Sequence, residues 1–164
     1  SAEAKEKRLE FTWTLREGML PIVMVDKTLL QQILINLANN AIKFTPKEGY
    51  VRVTAFRSDD AEWCISVKDN GVGIPASKRS EIFNDFFQAH ENTSVYDRPH
   101  QGTGLGLSIV KGLVDRMDGK LKFESTEGEG TEFLVAYPLV LPGDKTIPFV
   151  TPKQATPKKQ KVSK

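Results

Sequence analysis

Apolar and polar residues alternate from Leu9 to Arg16: Leu9, Phe11, Trp13 and Leu15 against Glu10, Thr12, Thr14 and Arg16. A period of two predicts a half-buried strand, and Glu17-Gly18 ends it. The short apolar run at residues 21–25 predicts a second strand or an extended segment. Asp26 stands where a helix N-cap belongs. Leu29, Leu30, Ile33, Leu34, Leu37, Ala41 and Ile42 then follow at helical spacing. Thr45-Pro46 closes that helix, because the residue before a proline leaves the α region. Residues 50–57 and 63–68 read as paired strands joined by Ser58-Asp59-Asp60, and residues 69–75 as a loop. A short helix is expected at 76–83. Helical spacing returns from Gly104 to Met117 through Leu105, Ile109, Val110, Leu113 and Met117. Residues 120–125 and 131–139 then form a hairpin around Glu127-Gly128-Glu129-Gly130. Between Asn84 and Gly102 no period survives, and a loop that long inside a compact domain is functional or disordered. The sum is about three helices with five or six strands, an α/β layered sandwich.

Composition narrows the class. At 164 residues, 39% hydrophobic and 27% charged, the chain fits one globular domain. No run reaches the roughly 18 apolar residues of a membrane span, and residues 1–7 lack the apolar core of a signal peptide. One cysteine, Cys64, excludes an internal disulfide framework and a cysteine-based zinc site, and reads as a small core residue. Two histidines, His90 and His100, are too few for a histidine-rich metal site. The net charge of +2 becomes −3 once the five lysines of residues 151–164 are set aside. A slightly acidic body argues against a nucleic-acid-binding core. Residues 142–164 read as a Pro/Lys-rich tail or interdomain linker.

Three clusters carry candidate chemistry. Asn36, Asn40 and Lys43 are spaced i, i+4, i+7 and fall within about 60° of one another on one helix face. Carboxamide oxygens can ligate a hard Mg²⁺, and an ammonium suits phosphate; a solvated helix face has the same spacing. Asp69 ends a strand before Asn70-Gly71-Val72-Gly73-Ile74. A carboxylate there can accept a hydrogen bond from an exocyclic amine such as that of adenine. Gly71 and Gly73 let backbone approach a planar ligand, and Ile74 offers an apolar wall; the same residues also suit a plain turn. Gly102-Thr103-Gly104-Leu105-Gly106-Leu107 opens a helix, and free N–H groups at a helix start attract anions. It is neither a P-loop, with no Gly-Lys-Ser/Thr following, nor a full dinucleotide fingerprint, with Leu107 where the third glycine would stand. Together these are the parts of a nucleotide site without a P-loop.

The segment from Asn36 to Thr45 resembles the asparagine box of sensor histidine kinases. Asp69-Asn70-Gly71-Val72-Gly73-Ile74 resembles their first glycine box, and Ile82-Phe83-Asn84-Asp85-Phe86-Phe87-Gln88 their phenylalanine box. The segment from Gly102 to Ile109 resembles their second glycine box. Order and spacing match across about residues 9–139. The resemblance implies a Bergerat-type two-layer α/β sandwich: a mixed sheet of about five strands, three helices on one face and a long ATP lid at 84–101. The catalytic domain would be residues 9–141, with residues 1–8 the end of a preceding helix or a linker. The cofactors implied are ATP or ADP and Mg²⁺. Asn40 would ligate Mg²⁺ with Asn36 in the same stripe, and Asn36 and Lys43 would be the catalytic pair. Lys43 would contact phosphate, Phe44 flank the adenine pocket, and Asp69 bind the adenine amine with Gly71, Gly73 and Ile74 beside it. Gly102, Thr103, Gly104, Leu105 and Gly106 would hold the phosphates, and Arg98 would be a lid cation for the γ-phosphate. Two departures stand out: Asp85 where the family usually has proline, which loosens the lid hinge, and Gln101 where many members have glycine.

The activity implied is transfer of the γ-phosphate of MgATP to a histidine on a separate dimerisation domain, in two-component signal transduction. His90-Glu91 imitates a phosphoacceptor dipeptide but lies in the lid, and His100 precedes Gln101, so neither is read as the acceptor. The fragment alone is therefore expected to be inactive or very slow. Hydrolytic relatives use a glutamate at the position of Asn36, so rapid ATPase activity is not expected. A nucleotide-binding regulatory module and a hydrolytic ATPase of the same fold are the alternatives. Expected partners are the dimerisation domain of the same protein and, indirectly, a response regulator receiver domain, with no nucleic acid and no direct membrane contact. The fragment is expected in the cytoplasm, with the parent anchored in the inner membrane or belonging to a hybrid kinase.

Overall fold

The computed structural model describes residues 1–19, 22–58, 62–87 and 104–139. Elements run α1 (Ala2–Glu6), β1 (Glu10–Leu15), α2 (Lys27–Phe44), β2 (Tyr50–Arg57), β3 (Glu62–Asp69), α3 (Gly106–Arg116), β4 (Lys120–Thr126) and β5 (Gly130–Pro138). The strands form one mixed sheet in the order β1-β2-β3-β5-β4. β1 runs parallel to β2, with α2 as the crossover, and the other pairs are antiparallel. The expected two-layer sandwich with a five-stranded sheet is what the chain forms.

Register explains where the core lies. Val53, Val67, Phe133 and Phe123 stand side by side across four strands, as do Ala55, Ile65, Val135 and Leu121. These rows share one face. Onto it pack Ile33, Leu37 and Ala41 of α2, at i, i+4, i+8, and Val110 and Val114 of α3. Each fully buried Ile or Leu contributes about 2 kcal/mol. The opposite face is more polar: Ser66 donates to Glu132 Oε1 at 2.5 Å, and Lys68 pairs with Glu132 at 3.2 Å. Cys64 is buried in β3 without a disulfide partner, as expected.

Helix α2 is bounded as its sequence predicts. Asp26 Oδ1 accepts from Thr28 N at 2.9 Å and Leu29 N at 3.0 Å. Thr45 ends the helix in an extended conformation before Pro46, its hydroxyl donating back to Ala41 O at 2.6 Å. No helix among the described residues is long and apolar enough to cross a membrane.

Three expectations need correction. The apolar residues of β1 are not half-buried: Phe11 is 45%, Trp13 72% and Leu15 61% exposed. They lie in register with the core row of β2, but at the sheet's edge, beyond the cover of the helices. Of the two readings of the run at 21–25, the strand fails: the described residues 22–25 join no sheet, and Val23 and Val25 pack on the core while Ile22 and Met24 stay exposed. Residues 76–83 hold only one 3₁₀ turn, Ala76–Lys78, followed by turns. Pro75, at the N-cap of that turn, supplies no side-chain cap to extend it. The third helix of the described residues is instead the five-residue α1.

The turn of the β4–β5 hairpin braces the loop after β3. Gly128 N donates to Val72 O at 2.8 Å. Gly73 adopts φ +65°, and a Cβ there would sit 2.0 Å from Thr126 O. Gly73→Ala is therefore expected to cost about 3 kcal/mol, from left-handed backbone strain plus displacement of the hairpin. Chemical denaturation would check this, as a lower midpoint with an unchanged slope.

Candidate functional site

Four segments are linked to one another by pairwise contacts around α2 and the start of α3. Asn36 and Asn40 lie one turn apart on α2, on a face beside the buried Ile33, Leu37 and Ala41. Asn36 Nδ2 donates back to Gln32 O at 2.9 Å. Its Oδ1 and both polar atoms of Asn40 lie 3.5–3.7 Å from where a Cβ on Gly106 would stand. The carboxamides thus face the first residue of α3. Leu105, at the N-cap, supplies no side-chain cap, and the start of a helix carries N–H groups and the positive end of a dipole, which favour an anion. Ser108 Oγ donates to Leu105 O at 3.0 Å, fixing the first turn.

The second glycine segment is tied to the phenylalanine segment. Gly104 has φ +72°, and a Cβ there would lie 2.7 Å from the Phe86 carbonyl carbon. Residues 86 and 104 therefore meet at the base of the intervening stretch. Behind them Phe83 stands edge-on to Phe123 at 5.8 Å, and Ile82 is buried. Of the predicted lid, residues 84–87 form turns; residues 88–101, with Arg98, His90 and His100, lie outside the described residues. So do Gly102 and Thr103, and the tail from 142 onward.

The first glycine segment joins the other end of α2. Val72 N donates to Phe44 O at 3.2 Å. A Cβ on Gly71 would lie 2.5 Å from that same carbonyl oxygen, so only glycine lets the loop come this close. Asp69 is 6% exposed at the end of β3. Its Oδ1 accepts from Gly71 N at 2.8 Å and Thr131 N at 3.3 Å. Burial pushes this carboxyl above the usual carboxylate range, and the two N–H bonds hold it back only in part. Ile74 is buried, and its N–H donates to Ser125 Oγ at 2.8 Å. Lys43 Nζ lies 4.7 Å from the centre of the Phe44 ring. Burial lowers its pKa, Glu3 raises it and Lys7 lowers it again.

The contacts thus bring Asn36 and Asn40 to Gly106, and Gly71 to Phe44, next to Lys43 at the other end of α2. Sequence reasoning missed the supports. Lys7 Nζ donates to Ile42 O at 2.8 Å and Lys43 O at 2.7 Å, and pairs with Glu3 at 3.2 Å. Its three donors thus seat the C-terminal end of α2. Thr131 and Ser125 hold Asp69 and Ile74 from the hairpin. Apart from the i,i+4 pair of Lys7 with Glu3, these contacts span 35 to 62 residues of chain, and nothing local announces them.

Residues 25–141 match the family described as histidine kinase-, DNA gyrase B- and HSP90-like ATPases. The chain belongs to this family. Among curated relatives it is 40% identical over 122 residues to the autoinducer 2 sensor kinase/phosphatase LuxQ of Vibrio parahaemolyticus, covering 71% of this chain and 14% of that protein. It is 44% identical over 111 residues to the circadian input-output histidine kinase CikA of Thermosynechococcus vestitus, covering 68% and 15%. The chain therefore spans about one seventh of the length of these relatives. Among solved structures, full-length ShkA in complex with AMPPNP matches with a TM-score of 0.71 at 36% identity, over 85% of this chain and 27% of that one. The catalytic domain of histidine kinase ThkA matches with a TM-score of 0.67 at 29% identity, over 84% and 83%. The chain is an ATP-binding catalytic domain of the sensor histidine kinase type, with the Bergerat fold.

Proposed function

We propose that this domain binds MgATP and donates the γ-phosphate to a histidine supplied by a separate dimerisation domain, in two-component signalling. The observation that carries the reading is the juxtaposition of Asn36 and Asn40 with Gly106 at the start of α3. Carboxamide oxygens are hard ligands suited to Mg²⁺, and a helix N-terminus suits phosphate; here the two face each other. Asn40, supported by Asn36, would hold Mg²⁺, which when bound neutralises phosphate charge. The helix start would take the phosphate oxygens, together with Gly102, Thr103, Gly104 and Leu105, and Lys43 and Arg98 would add positive charge. Asp69 would accept from the adenine amine, with Phe44, Gly71, Gly73 and Ile74 around the ring. In phosphoryl transfer the protein contributes chiefly position and charge stabilisation, and these residues offer both.

Asn36 has no basic group to activate water, so the isolated domain hydrolyses ATP slowly at most. Calorimetric titration with ADP and AMPPNP, with and without Mg²⁺, tests the site. Asn40→Ala is expected to abolish the Mg²⁺-dependent part of binding and leave the fold intact. Transfer of label from ATP to an added dimerisation domain separates a kinase from a regulatory module that only holds nucleotide. Rapid turnover by the domain alone would instead favour the hydrolytic reading. The phosphoacceptor domain, a receiver domain downstream and a cytoplasmic location complete the proposal.

A further inference from the structure

Strand β1 ends the sheet, with β2 as its only neighbour among the described strands. Glu10 N donates to Gly49 O and Arg16 N to Ala55 O, both at 2.9 Å. Backbone groups alternate direction along a strand. The even-numbered residues therefore face β2, and Phe11, Trp13 and Leu15 turn their N–H and C=O groups to the open edge. The same three residues carry the exposed apolar row, with Trp13 at 72%. The edge has no proline, glycine or central charge, the devices that usually block strand addition. Its only charges are Glu10 at the start and Arg16 just past the end.

The segment Glu10-Phe11-Thr12-Trp13-Thr14-Leu15-Arg16 is self-complementary about Trp13. In an antiparallel pair of two copies centred there, Trp13 meets Trp13, Phe11 meets Leu15, Thr12 meets Thr14 and Glu10 meets Arg16. The outward backbone groups of residues 11, 13 and 15 then fall on the hydrogen-bonded positions of the ladder. Aromatic, Thr–Thr and opposite-charge cross-strand pairs are all favourable. A shift of two residues in either direction keeps the ladder but loses the charge match. We propose that β1 is a self-association edge, at which two copies of this chain pair antiparallel about Trp13 and continue one sheet into the next. None of the nucleotide-site residues lies on β1, so pairing and nucleotide binding are separable.

The test is sedimentation of the whole chain from micromolar to millimolar concentration, paired with cross-linking. A concentration-dependent rise from 18.3 kDa toward twice that mass is expected. Trp13→Lys, at an exposed position, is expected to weaken association by more than about tenfold and leave ADP binding unchanged. Thr12 and Thr14 of opposite copies would stand about 4.5 Å apart between Cα atoms, within disulfide reach. A mixture of Thr12→Cys and Thr14→Cys chains should therefore cross-link, and each variant alone should not; Cys64 is buried and gives little background. A chain that stays monomeric at all concentrations, or a dimer indifferent to Trp13→Lys, overturns the proposal. Equal cross-linking by either cysteine variant alone overturns the register.

Discussion

Asp69→Asn is expected to weaken nucleotide binding by about 100-fold and, at neutral pH, to raise the melting temperature of the ligand-free domain. Both effects follow from one fact: a carboxylate is buried at the end of β3 with two backbone N–H groups as its hydrogen-bond donors among the described residues. Ionised, it is a strong acceptor for an exocyclic amine, and a hydrogen bond to a charged group is worth about 1.5–3 kcal/mol. Asparagine keeps an oxygen for Gly71 N and Thr131 N but presents an amide donor to the incoming amine. Stability moves the other way. The folded-state pKa is raised by burial, so the folded domain binds the proton more tightly than the unfolded chain does. The cost of burying the charge is then fully present above the folded pKa and is relieved as pH falls through it. Asparagine never carries that charge. The difference in melting temperature between variant and parent should shrink as pH drops toward the carboxylate range, and nucleotide affinity of the parent should fall over the same interval. Thermal melts and calorimetry across pH would read both. A variant less stable than the parent at neutral pH would contradict the account.

Gly106→Ala is the second large effect, and it contrasts with Gly73→Ala. At Gly106 the three atoms nearest to a Cβ would belong to the carboxamides of Asn36 and Asn40, at ordinary contact distances of 3.5–3.7 Å. The fold has room for it, and alanine is a better helix residue than glycine by up to about 1 kcal/mol. That methyl would occupy the gap between the carboxamides and the α3 start, where phosphate and Mg²⁺ are proposed to sit. Gly106→Ala should therefore fold as well as the parent and lose nucleotide binding by at least about tenfold. Gly73→Ala should lose stability first. Calorimetry beside denaturation on the two variants distinguishes a glycine kept open for a ligand from one kept for a backbone contact.

Much of this was legible in the chain. The Asp26 cap, the Thr45-Pro46 stop and the Ile33, Leu37, Ala41 stripe set α2 locally, since caps and periodicity act within a few residues. The β2–β3 and β4–β5 hairpins were legible for the same reason. The order of the four motifs implied a nucleotide site and a two-layer sandwich. What the chain alone could not say was which apolar rows find a cover. Leu9, Phe11, Trp13 and Leu15 alternate as well as any core strand, yet β1 stands at the sheet's edge and its outer apolar row remains exposed. Burial is a property of neighbours, and the neighbours of β1 depend on strand order. The facing of Asn36 and Asn40 toward Gly106 is likewise a packing of α2 against α3, 66 residues apart from Asn40. So is the seating of α2 by Lys7, and the bracing of Asp69 by Thr131. Residue types and local spacing determined which groups were suited to phosphate, metal and adenine. Only the tertiary structure decided which of them meet, because contacts between distant segments are fixed by the packing of the whole sheet and its helices.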